Sequence, residues 1–143
     1  MPVKVKRVYE QPVRSDGTRI LVDRLWPRGL RKEAAAVNEW LKDVAPSNML
    51  RQWYHARPDH WDDFRKRYLS ELAGPEASAA LEHLYDLAAT RKQLTLVFAS
   101  KNTERNNAVV LKELLEGMRK PPTNVGSGYA AAAPVRQRAR ARR

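Results

Sequence analysis

The sequence predicts a small, helix-rich α/β domain with a short, mostly parallel sheet flanked by helices. The segments 19–23, with three consecutive apolar residues, and 94–99 are too brief for helices and are typical of buried parallel strands. Longer amphipathic segments separate these runs, and the second run leads directly into the last predicted helix, as in an α/β fold. A length of 143 residues favours a single domain.

Three segments are predicted to be strands. Valines alternate with basic residues near 3–9, and a Ser-Asp-Gly turn at 15–17 separates this strand from the one at 19–23. The run LTLVFA at 94–99 is the strongest strand pattern in the chain. The pattern at 36–42 fits either a helix or a strand, so both remain open.

Apolar stripes and capping residues predict four helices. The Ser47 hydroxyl is placed to cap a helix, and Pro75 suits the first turn of another. Thr103 is predicted to cap the last helix. The predicted spans are 48–55, 61–72, from 75 onward and 104–118.

Positive charge is concentrated at the C-terminus. The net charge is +11, and residues 119–143 contain seven basic residues and no acidic ones. We therefore predict a single domain over 1–118 and a basic tail over 119–143. The tail is expected to be disordered because it has little apolar surface to bury. Such a tail can contact nucleic-acid phosphates non-specifically, or act only as a solubilising terminus.

The composition excludes several classes of site. Without cysteines the chain has no disulfides, thiolate metal sites or cysteine nucleophiles. Its histidines lack metal-ligand spacing, and no dinucleotide, P-loop or serine-hydrolase motif occurs, so neither a metal nor a cofactor is expected. The N-terminus lacks a signal-peptide pattern and no long apolar run follows, which predicts a cytoplasmic protein without a membrane partner.

Two polar segments, at 22–30 and 99–107, lie at the ends of the two strongest predicted strands. Parallel strands end at the same edge of a sheet, and open α/β sheets bind ligands beyond that edge. Arginine forks, a lysine and the positive end of a helix there favour an anion such as a phosphate group. The predicted ligand-binding residues are Asp23, Arg24, Trp26, Arg28, Lys101 and Asn102.

Each of these residues also has a structural interpretation. Asp23 is the one weak candidate for catalysis, as an acid or base if burial raises its pKa, or it caps a turn or pairs with Arg24 or Arg28. Trp26 can be a packing residue under the loop, and Lys101 and Asn102 can form a solvated turn. No reaction class follows from these residues, so whether the chain is an enzyme remains open.

Several stretches resemble a known family. They read ILVDRLWPRGLRKE (20–33), WLKDVAPSNMLRQWYH (40–55), WDDFRKRYLSEL (61–72) and TLVFASKNTERNNAVVLKELL (95–115). Together they resemble the YeaO-like family, a domain-of-unknown-function group of small bacterial proteins, over residues 3–117. The resemblance implies a compact α/β domain in a bacterial cytoplasm and no particular activity. The family pattern has an aspartate where Asn102 stands here.

Three functions remain as hypotheses. The first is binding of a phosphate-bearing or other anionic small ligand at the carboxyl edge of the sheet. The second is association with nucleic acid through the arginine-rich tail. The third is a structural or partner-binding domain, whose oligomeric state the sequence leaves open.

Overall fold

The predicted parallel sheet is present in the computed structural model, which describes residues 3–117. The predicted tail, 119–143, lies outside the described residues. The strands are β1 (Val3–Arg7), β2 (Thr18–Leu21), β3 (Glu39–Trp40) and β4 (Leu94–Phe98). Their order in the sheet is β1-β4-β2-β3, and every neighbouring pair is parallel. All five residues of β4 are buried, as expected for a central strand covered on both faces.

Within residues 3–117, five helices accompany the sheet, and four of them cover one of its faces. The helices are α1 (Lys32–Ala35), α2 (Asn48–Ala56), α3 (Trp61–Leu72), α4 (Pro75–Thr90) and α5 (Asn107–Gly117), with short 3₁₀ turns at Arg14–Asp16 and Lys42–Val44. Ser47 caps α2 as predicted, its hydroxyl accepting the Leu50 N–H at 3.1 Å, and Pro75 is the first residue of α4.

The two faces of the sheet have different cores. Ile20 and Leu96 point into the larger core beneath α2–α5, whereas the next residues, Leu21 and Val97, point to the opposite face. That second face is covered by α1 and the loop at 22–31 instead of long helices. The result is a small, helix-rich α/β domain, as the sequence predicts.

One assignment left open by the sequence is settled, and one local prediction needs correction. In the segment 36–42, Glu39–Trp40 forms the short strand β3, and the Leu41 N–H donates to the Leu21 carbonyl at 2.9 Å. Helix α5 begins at Asn107, and the prediction that Thr103 caps it was wrong. The Asn106 side chain accepts the Val109 N–H at 3.0 Å, which is the usual N-cap bond.

A buried ion cluster lies at the amino end of the sheet, around Asp16. Asp16 is 1% exposed, and its carboxylate contacts Arg19 at 2.7 Å, Lys6 at 3.1 Å and Lys4 at 3.5 Å. Burial alone raises the pKa of Asp16, but the Val13 N–H and the Lys6 and Arg19 side chains outweigh it and lower that pKa to about 2. The sequence indicated only a turn here.

Candidate functional site

Both predicted polar segments lie at the carboxyl edge of the sheet. The loop at 22–30 follows β2, and the loop at 99–106 follows β4, its parallel neighbour. We call them the first loop and the second loop. The residues after β1 reach the same edge, since β1 is the other neighbour of β4.

Asp23 joins the two loops. Its carboxylate accepts the Ala99 N–H at 2.8 Å and the Asn107 side-chain amide at 3.3 Å. Its backbone carbonyl accepts the Trp40 indole N–H at 2.7 Å. Burial raises the pKa of Asp23 above its ordinary value of 3.8, against the opposing effects of these two donors and of the nearby Arg51 charge. Asp23 therefore holds β2, β4 and the start of α5 together, and its hydrogen-bond partners are not Arg24 or Arg28.

Substitution of Asp23 by Asn is expected to change the pH dependence of stability. A folded-state pKa above the unfolded value means that the ionised carboxylate opposes folding, and this penalty disappears as the pH falls toward 3.8. The wild-type protein should therefore gain unfolding free energy relative to D23N as the pH falls from 7. Urea titrations of both proteins across that range measure the difference.

Asp86→Asn is the matched control, because it removes an exposed carboxylate from α4. The pH-dependent change in unfolding free energy, wild type minus variant, must be larger for D23N than for Asp86→Asn. A gap between wild type and D23N that stays constant with pH, or that changes in favour of D23N, contradicts the role of burial at Asp23.

Arg24 points away from the rest of the predicted site. Its guanidinium donates to the carbonyls of Ala45 at 2.8 Å and Pro46 at 3.3 Å. It lines a cavity of about 380 Å³ whose lining also includes the acidic residues Glu71 and Glu76. Carboxylates around Arg24 disfavour an anion, so this residue is better explained as a brace between the first loop and the start of α2.

Trp26 packs inside the first loop. Its ring contacts Trp40 edge to face with 5.4 Å between ring centroids, and its indole N–H donates to the Leu30 carbonyl at 2.6 Å. Both rings are partly buried against the second face of the sheet. Trp26 thus shapes the turn that carries Arg28, in agreement with its packing interpretation.

Arg28 and Lys101 are exposed on the two loops. Within residues 3–117, neither side chain makes an ion pair or a hydrogen bond. Arg7 holds the second loop by donating to the carbonyls of Ala99 and Ser100, both at 3.0 Å. Of the predicted residues, Arg28 and Lys101 are the cations whose side chains have no partner among residues 3–117.

Asn102 organises the second loop through its own side chain. Its amide oxygen accepts the N–H groups of Glu104 at 3.0 Å and Arg105 at 2.9 Å, forming a side-chain-closed turn. With Asn106 bound to the Val109 N–H, three backbone donors near the start of α5 are already occupied. The helix end therefore offers an anion less than the sequence predicts.

Arg7 and Tyr9 were missed by the sequence analysis. The Tyr9 hydroxyl donates to the Arg28 carbonyl at 2.9 Å, and the Arg7 guanidinium lies over the Tyr9 ring, 5.0 Å from its centroid. Their position at the end of the predicted first strand, near 3–9, was the available signal, because a parallel first strand also ends at this edge.

Other site classes find no support in the described part of the chain. Among residues 3–117, no group of three histidine, aspartate or glutamate side chains is placed to hold a metal ion. No helix between Val3 and Gly117 is long and apolar enough to cross a membrane.

Comparison with known families identifies the chain. A family model described as the inactive DUF488-N3 subclade matches residues 2–133. The chain belongs to this DUF488-N3 subclade. Both loops of the candidate site lie inside the match, so they are part of the DUF488-N3 domain itself.

Relatives of this DUF488-N3 member are bacterial, and the resemblance to the YeaO-like family is confirmed. An uncharacterised protein of Mycobacterium tuberculosis, Rv3073c, is 48% identical over 115 residues, covering 80% of this chain and 94% of the relative. The uncharacterised protein Mb3100c of Mycobacterium bovis matches equally well. The uncharacterised protein YeaO of Escherichia coli is 43% identical over 118 residues, covering 82% of this chain and 100% of the relative. No solved structure matches the chain.

Proposed function

We propose that this protein binds a phosphate-bearing or other anionic small ligand between its two carboxyl-edge loops, without transforming it. The observation that carries the proposal is the pair Arg28 and Lys101. Both cations are exposed, lack partners among residues 3–117, and stand on loops that Asp23 and Arg7 join to each other and to the sheet.

The chemistry of the pair suits an oxyanion. A guanidinium presents a planar fork of N–H donors, and an ammonium adds a compact charge that can approach from another direction. Both groups are exposed, so salt screens them and the affinity should fall as ionic strength rises. A ligand with two anionic groups, such as pyrophosphate, offers one group to each cation and is therefore the probe of choice.

A binding role fits the residues better than catalysis. The carboxylate of Asp23, the one candidate acid or base, is engaged by Ala99 and Asn107. Position 102 carries an amide, which cannot donate or accept a proton as an acid does. The family description "inactive" agrees with this interpretation.

The double substitution Arg28→Ala with Lys101→Ala is expected to weaken pyrophosphate binding more than tenfold. Charge-assisted hydrogen bonds contribute about 1.5–3 kcal/mol each, and about 1.4 kcal/mol corresponds to a factor of ten. Isothermal titration calorimetry at low ionic strength measures the affinity. To remove binding by the arginine-rich end of the tail, both proteins are full-length and carry glutamine in place of Arg136, Arg138, Arg140, Arg142 and Arg143.

A matched control removes the same charge elsewhere. Arg65 and Lys112 contact Glu113 and Glu116 at the surface of α3 and α5, so R65A/K112A lowers the net charge equally. This control should bind as the background does. If R28A/K101A also binds as the background does, the proposed site is wrong. Binding seen only with the native tail supports the nucleic-acid hypothesis instead.

A further inference from the structure

The residues at the end of β1 connect the two loops of the proposed site. Arg7 donates from Nε to the Ser100 carbonyl and from Nη2 to the Ala99 carbonyl, each at 3.0 Å. Such a two-point contact fixes both the position and the direction of the backbone that leads to Lys101. The same guanidinium lies over the Tyr9 ring.

Tyr9 continues this connection to the first loop. Its hydroxyl donates to the Arg28 carbonyl at 2.9 Å, so it holds the backbone from which the Arg28 side chain extends. The residue is 42% exposed, and burial of its ring alone therefore explains little of its placement. The turn that carries Arg28 is also held from within by the Trp26 indole N–H on the Leu30 carbonyl, so Tyr9 adds the contact that ties this turn to the end of β1.

We propose that Arg7 and Tyr9 are positioning residues that set the separation of the Arg28 and Lys101 side chains. This inference rests on the proposed anion site. It implies that the site is assembled before the ligand arrives and selects anions with two charged groups that reach both cations. Preorganisation of this kind raises affinity because less loop motion is lost on binding.

These contacts predict that each positioning residue affects binding through one cation, Tyr9 through Arg28 and Arg7 through Lys101. Tyr9 contacts the backbone of Arg28, and Arg7 contacts the backbone beside Lys101. Loss of the Tyr9 hydroxyl should therefore matter only while the Arg28 side chain is present. A merely structural tyrosine would affect both backgrounds equally, so a double-mutant cycle separates the two roles.

Tyr9→Phe is expected to lower pyrophosphate affinity about two- to tenfold, the effect of one ordinary hydrogen bond. The ring and its contact with Arg7 remain. In the R28A background, the same substitution should leave the residual affinity unchanged. Calorimetry on full-length proteins with the glutamine-substituted tail measures all four members of the cycle.

Thr90→Val is the matched control, since its exposed hydroxyl also donates to a backbone carbonyl, that of Asp86 at 2.8 Å, at the far end of α4. It should leave affinity unchanged. Arg7→Lys supplies a second arm, because lysine keeps the charge and loses the two-point contact. It should weaken binding with Lys101 present and have no further effect in K101A.

The outcomes separate this inference from the proposed function. If the background protein binds pyrophosphate and R28A/K101A does not, while Y9F and R7K bind normally, the positioning role is overturned and the site stands. The positioning role is also overturned if Y9F lowers the pyrophosphate affinity equally with Arg28 present and in the R28A background. Absence of binding by the background protein overturns the site and the positioning role together.

Discussion

Asp16→Asn is expected to lower the free energy of unfolding by about 3–5 kcal/mol, the usual effect of removing one partner from a buried ion pair. Arg19 is 3% exposed, and its only carboxylate partner among residues 3–117 is Asp16 at 2.7 Å. Without that charge, the guanidinium keeps its bonds to the Ala35 carbonyl but remains a buried, uncompensated cation. Urea denaturation at pH 7 measures the loss.

The pH dependence of the same comparison has a defined sign. The pKa of Asp16 is lowered to about 2, below its ordinary value of 3.8, so the ionised form stabilises the folded state. This contribution is fully present above the unfolded-state pKa and is lost as the pH falls through the folded-state pKa. The gap between wild type and D16N should therefore narrow by about 2 kcal/mol between about pH 5 and pH 2.

Asp59→Asn is the control, because Asp59 is exposed and makes no ion pair within the described chain. It should unfold as the wild type does. A D16N loss below about 1 kcal/mol, or a gap that widens in acid, would show that the cluster around Asp16 contributes little to stability.

Gly17→Ala is expected to lower the free energy of unfolding by at least about 3 kcal/mol, for two reasons. Gly17 has φ +64° and ψ −135°, a conformation open almost only to glycine. An added Cβ would also lie 2.4 Å from the Gln93 carbonyl oxygen. That carbonyl accepts the Thr18 N–H at 3.0 Å, so it cannot retreat without disturbing the start of β2.

Gly29→Ala isolates the steric part of this effect. Gly29 also has a positive φ, +74°, but an added Cβ there meets no atom within 4 Å. It should cost only about 1–2 kcal/mol, the conformational penalty alone. Thermal and urea denaturation of the two variants compare them, and equal losses would contradict the close approach of Gly17 to Gln93.

Local pattern accounts for much of the fold. The run at 94–99 is apolar at every position except Thr95, which is why it is recognisable as a central strand. Phe64, Tyr68 and Leu72 recur every four residues and form the buried side of α3. Ser47 and Pro75 act within one turn of their own helices, so their roles are readable without knowing the tertiary structure.

Features that depend on distant partners were not readable. Strand β3 consists of two residues whose pairing with β2 comes from tertiary contacts, so neither a helical nor a strand period marks it. The start of α5 was misplaced for a different, local reason: Asn106 caps the helix, and the nearby Thr103 matches the same capping preference.

In the candidate site, too, some features were predictable from the sequence and others depend on tertiary contacts. Sequence position placed Asp23, Arg28 and Lys101 at one edge of a parallel sheet, because the carboxyl ends of parallel strands coincide. The direction of Arg24 toward Ala45 and Pro46 depends on where α2 packs, and no spacing within the chain encodes it. Likewise, Arg7 meets Ser100 across 93 positions of the chain.

The sequence by itself therefore determined the fold class, most helix and strand positions and the edge where the polar loops meet. Periodicity and capping are local, and each is set by residues within a few turns. Only the tertiary structure decided which charged side chains have partners. Asp16 and Asp23 are both acidic residues next to strand β2, yet N–H donors and cations lower the pKa of Asp16, whereas burial raises the pKa of Asp23. Whether a charge is paired or free depends on the groups that folding brings within about 4 Å of it.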